Sequence, residues 1–154
     1  MKVSRTLPII IIAVIAFIST PRLEAQDSGS GLGIIIGNPT GVSFKSWLSG
    51  NSALDLAAAW SLNDERLLIQ GSYILHDVSI FKVSKGKLAL YYGIGGAIVL
   101  TDDVGVAARV PVGLDYMFAT APFDIFVELA PSLLLVPRTD FRIGAAVGVR
   151  FWFD

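Results

Sequence analysis

From Val104 to Phe118 the chain reads VGVAARVPVGLDYMF. The even positions are Val104, Val106, Ala108, Val110, Val112, Leu114, Tyr116 and Phe118; between them stand Gly105, Ala107, Arg109, Pro111, Gly113, Asp115 and Met117. Successive side chains of a strand point to opposite faces, so this period of two predicts one long strand, oily on one side. The other side holds Arg109 and Asp115 among small residues. Phe141 to Phe153 repeats the pattern, with Phe141, Ile143, Ala145, Val147, Val149, Phe151 and Phe153 opposite Arg142, Gly144, Ala146, Gly148, Arg150 and Trp152. A soluble sheet turns its charges to water and packs its oily face inward. Small residues sharing a face with charges suit the reverse arrangement, a closed barrel with lipid outside.

Working outward, turn signals divide the rest into similar segments. Asn38-Pro39-Thr40-Gly41, Ser49-Gly50-Asn51-Ser52, Asn63-Asp64-Glu65, Thr101-Asp102-Asp103, Thr120-Ala121-Pro122 and Pro137-Arg138-Thr139-Asp140 mark reversals. They separate predicted strands at Gly31–Gly37, Val42–Leu48, Ala53–Leu62, Arg66–His76, Leu88–Leu100, Val104–Phe118, Phe123–Leu135 and Phe141–Phe153. The fold expected is therefore all-β, an eight-stranded antiparallel up-and-down transmembrane β-barrel. Two stretches leave alternatives. Gly31 to Leu48 is either two short strands or one bent one, and Asp77 to Lys87 is either a longer turn or a turn in which Val78 to Val83 pairs back.

Before the barrel stands a candidate export signal, residues 1–25. Lys2 and Arg5 precede an apolar run, Leu7 to Ile18, and Leu23-Glu24-Ala25 ends in a small residue. The run is short of the roughly 20 residues that a spanning helix needs. Residues 26–154 form the expected barrel domain. The 12 Lys+Arg and 13 Asp+Glu leave a formal net charge of −1, with no basic face to attract nucleic acid. Cysteine is absent, which excludes both disulfides and a lipidated cysteine after the apolar run.

Lipid forbids an open sheet edge, because each unpaired amide or carbonyl costs several kcal/mol there, so the first and last strands are expected to join. An eight-stranded ring leaves room inside only for side chains or one small ligand. Ala57, Ala59, Ser61, Ser72, Ala89, Gly93, Gly95, Gly144, Ala146 and Gly148 keep the inner face slender. They leave space for a polar network of Lys45, Arg109, Arg142 and Arg150 against Asp55, Asp115, Asp124 and Glu128. Folding the last hairpin about Thr139 sets Glu128 opposite Arg150, with Gly113 making space beside them, and this pair is expected to be a central tie. Tyr92, Tyr116, Phe118, Phe123, Phe151 and Phe153 lie on outward registers near strand ends, as aromatic belts at two interfaces require.

Gly33 to Gly41, Leu90 to Gly96, Arg109 to Leu114 and Phe123 to Glu128 resemble segments of the small outer-membrane β-barrels of diderm bacteria. That architecture is shared by the transmembrane part of the outer membrane protein A class. More closely, the chain is similar to an uncharacterised family of such barrels also found in spirochaetes. The resemblance implies residence in the cell outer membrane and insertion by the outer-membrane assembly machinery, which reads a C-terminal aromatic strand. Phe151 and Phe153 match that signal, and Asp154 after them departs from it. The class has long outer loops; these are short, which gives an adhesin role little to stand on.

The function expected is structural, an envelope-integrity role for a monomeric barrel whose lumen is plugged by paired charges and whose partner is outer-membrane lipid. A narrow pore or small-ligand channel is one alternative, and a lipid-modifying enzyme is another. His76 is the only histidine, with Asp77 beside it and Ser72 and Ser79 near. Adjacent strand residues face opposite ways, so this spacing implies no serine–histidine–acid geometry, and His76 is expected at the membrane rim. No catalytic residue, cofactor site, metal cluster or phosphate loop is expected.

Overall fold

The computed structural model describes residues 28–61 and 65–153. The expected signal segment, residues 1–25, lies outside them, as does the side chain of Ser61. The described residues form β1 (Ser30–Gly37), β2 (Gly41–Trp47), β3 (Ser52–Ser61), β4 (Arg66–Asp77), β5 (Lys87–Leu100), β6 (Val104–Arg109), β7 (Val112–Met117), β8 (Phe123–Val136) and β9 (Asp140–Phe153).

Consecutive strands pair antiparallel, except β6 with β7, and β1 joins β9 from Ser30↔Phe153 to Gly37↔Ala146. The sheet is thus a ring without a free edge. Gly31 to Leu48 supplies two strands, reversed at residues 38–40, where Thr40 Oγ1 accepts from Gly37 N at 2.9 Å. Residues 78–86 join β4 to β5 without strand structure, so Val78 to Val83 does not pair back.

The stretch predicted as one strand, Val104 to Phe118, is two. Both β6 and β7 lie between β5 and β8, end to end, as a single stave of an eight-stave ring. Pro111 has no N–H for the ladder, and this ends β6. The register is undisturbed: Gly95↔Arg109 before the break and Tyr92↔Val112 after it belong to one alignment. Val110 N donates to Pro131 O at 2.9 Å and Pro111 O accepts from Gly93 N at 3.1 Å, so the gap is bridged. A bulge between Val106 and Ala107 takes up one residue of β8 near its far end.

The two faces separate sharply. Ile34, Ile69, Ile94, Ile125, Ile143 and Val147 are exposed on the outside, Ile94 at 70%. Lys45, Asp115 and Asp124 are fully enclosed, and Arg150 is 1% exposed. Both chain ends of the ring lie at one rim, with the β2–β3, β4–β5 and β7–β8 connections; the β1–β2, β5–β6 and β8–β9 connections lie at the opposite rim.

The aromatic residues are arranged less evenly than two belts require. Tyr116 and Phe118 (ring centroids 4.9 Å apart) and Phe123 and Phe151 (5.3 Å) crowd the rim that carries the chain ends, and Phe153 joins them. Tyr92 pairs with Leu75 and Val112, well inside the wall. At the far rim the outward aromatics are Trp60 and Phe141.

Candidate functional site

The lumen contains two linked polar clusters, positioned by the inward alternation of β2 to β9. Arg150 on β9 is the centre of the first. Its Nε donates to Asp124 at 3.0 and 3.2 Å, one terminal nitrogen to Asp55 at 3.1 Å, and the other to Asp115 at 3.4 Å. The guanidinium lies over the Phe126 ring, 4.0 Å from its centroid. Lys45 on β2 donates to Asp115 at 2.5 Å and sits 2.6 Å from His76 Nε2. Its ammonium is 4.7 Å from the Trp47 ring centroid and 5.8 Å from that of Trp152, whose indole N–H donates to Asp124 at 2.9 Å.

The second cluster lies nearer the middle. Arg109 pairs with Glu128 and donates to Ser72 Oγ at 2.8 Å, while the Tyr91 hydroxyl donates to the other Glu128 oxygen at 2.9 Å. Gly113 pairs with Glu128 across β7 and β8, and a Cβ there would lie 2.5 Å from the Tyr91 ring. The missing side chain at Gly113 is what admits Tyr91 to Glu128.

Seven of the eight residues expected in the lumen network are brought together: Lys45, Asp55, Arg109, Asp115, Asp124, Glu128 and Arg150. Arg142 is not. It faces the same interior but near the far rim, with its side chain 55% exposed, and pairs with Asp140 at 3.2 Å. Glu128 and Arg150 do not meet either. The last hairpin folds about Pro137 rather than Thr139, which aligns Arg150 with Asp124 and Glu128 with Ala146.

Sequence reasoning missed His76. It is 7% exposed and lies inside the barrel, 3.6 Å from Asp115 and tilted against the Trp47 ring at 4.4 Å, rather than at the membrane rim. The inward parity of Gln70, Ser72 and Ile74 on β4 continues to His76, and that signal was in the strand pattern. Because Lys45 can only donate, His76 Nε2 accepts, which leaves the ring proton on Nδ1. Ser72 is engaged by Arg109, and Asp77 by Ser79 N and Oγ at 2.8 and 2.5 Å. His76, Ser72 and Asp77 therefore serve three separate contacts.

The half of the lumen next to the chain ends is filled by these clusters with Ile74, Tyr91, Phe126 and Trp152. The far half contains a cavity of about 490 Å³, with Arg109 at its base and Arg66, Gln70, Ser132 and Arg142 on its walls. Among the described residues no group of acidic, histidine or cysteine side chains has the geometry to hold a metal.

No family model and no curated protein matches the chain. Among solved structures it is similar to the N-terminal β-barrel domain of Pseudomonas aeruginosa OprF, at 18% identity and a TM-score of 0.47, over 80% of this chain and 94% of that one.

Proposed function

We propose that this protein is an integral outer-membrane β-barrel with a structural, envelope-integrity role, whose solvent is lipid outside and whose lumen is closed by its own side chains. One observation carries the reading: the wall is inverted. Ile69, Ile94, Ile125 and Ile143 are exposed at 44–70% while Lys45, Asp115, Asp124 and Arg150 are enclosed at 0–1%. In water such a wall would leave large apolar groups unburied around its whole circumference, whereas in a bilayer that surface is in its preferred solvent.

The filled half of the lumen supports a plug rather than a conduit, since Arg150 alone bridges three strands. The barrel acts as a monomer, placed in the outer membrane by the assembly machinery, with lipid as its partner and no reaction to catalyse. Fractionation followed by gel migration in detergent tests this. A compact band from the outer-membrane fraction that shifts on boiling is expected, with no ion flux through the protein in a planar bilayer. A band in the soluble fraction that does not shift would overturn it.

A further inference from the structure

We propose that the β4–β5 connection, residues 78–86, is an interfacial segment that recognises the surface of an anionic phospholipid bilayer; this rests on the membrane reading above. Val78, Ile80, Phe81 and Val83 are exposed at 38–52%, outside the strand ladder that carries most of the exposed apolar surface. Lys82 and Lys85, also exposed, lie among them, and no acidic residue occurs from Val78 to Leu100. Apolar side chains interleaved with lysines, without acids, match the acyl–headgroup boundary of a leaflet with anionic lipid.

The segment is also in the right place. Tyr116 stands on an outward register of β7, and its hydroxyl donates to Lys85 O at 3.0 Å, so the returning leg lies against the outer wall instead of across the lumen. Tyr116 in turn packs edge-on against Phe118, within the aromatic rim that marks a bilayer interface. Gly86 makes the return possible. Its φ is +71°, and a Cβ there would lie 2.4 Å from Met117 O and 3.0 Å from the Tyr116 hydroxyl. At the other end, the two Ser79 donors on Asp77 fix the departure of the chain from β4. Both legs are held, and the apolar and basic side chains between them are left to the bilayer.

The absence of cysteine permits a direct test. Phe81→Cys and, separately, Ile143→Cys are labelled with an environment-sensitive fluorophore, and each full-length protein is inserted into phosphatidylcholine vesicles with and without phosphatidylglycerol. At Ile143 the label reports the wall, and lipid-borne quenchers should reach it in both vesicles. At Phe81 the expected result is lipid quenching that strengthens with phosphatidylglycerol and weakens with salt. Lys82→Gln with Lys85→Gln should lower the ratio of lipid-contacting to water-exposed label by about fivefold per lysine. A Phe81 label quenched by aqueous iodide alike in both vesicles, while Ile143 stays in lipid, overturns the segment and leaves the barrel reading intact. Shielding equal in the two lipids overturns the anionic recognition, and shielding that follows protein density rather than lipid charge assigns the surface to a second copy. Loss of lipid quenching at Ile143 overturns the membrane reading and this one with it.

Discussion

Replacing Arg150 with alanine removes a cation that touches three carboxylates. After the change Asp115 keeps Lys45 at 2.5 Å and Asp124 keeps the Trp152 indole at 2.9 Å, but Asp55 loses its guanidinium partner. Breaking an enclosed ion pair from one side costs about 3–5 kcal/mol, because the remaining charge stays desolvated. The lost contact with the Phe126 face adds about 1 kcal/mol. A total near 5 kcal/mol, divided by a urea slope of about 2 kcal/mol per molar, lowers the unfolding midpoint by about 2.5 M. Unfolding of the inserted barrel followed by tryptophan fluorescence is the assay, since Trp152 is bonded to the same cluster. Arg150→Ala combined with Asp55→Asn should recover at least about 1 kcal/mol, because it removes the stranded charge. A midpoint that falls by less than about 0.5 M would refute the reasoning. It would mean that these groups sit in water and are screened as surface pairs are.

Three further outcomes are expected. Ile94→Arg places a charge halfway along β5 on the outer wall and should cost about 2–4 kcal/mol of insertion stability in vesicles; an unchanged folding yield would mean that this wall faces water. Tyr91→Phe keeps the ring but removes the 2.9 Å bond to Glu128, lowering stability by about 1.5–3 kcal/mol in the same urea titration. Gly113→Ala puts a methyl 2.3 Å from Val127 O and 2.5 Å from the Tyr91 ring, which should cost about 1–3 kcal/mol and be partly relieved by Tyr91→Ala, as a double-mutant cycle would measure.

Much of the barrel was legible in the alternation. A period of two assigns each side chain to a face without knowledge of its neighbour, so Lys45, Arg109, Asp115, Asp124 and Arg150 were recognisable as inner residues from their own strands. His76 obeys the same rule: the parity of β4 turns it inward, although a lone imidazole beside Asp77 at a strand end suggests the rim. Pro111 was visible as a residue without an N–H, yet the alignment of β6 and β7 in one stave depends on β5 and β8, which hold both segments in the same register.

Local patterning thus decided that strands form, which of their faces is oily, and that charges and small residues share the other. Pairing across strands was decided by turn length and ring closure, which act between segments remote in sequence. A hairpin centred on Pro137 instead of Thr139 keeps every residue on its face while handing Arg150 to Asp124 and leaving Glu128 to Arg109. Periodicity is blind to such a slide of two residues along each strand, because it leaves inside and outside unchanged; only the closed ring distinguishes one register from the next.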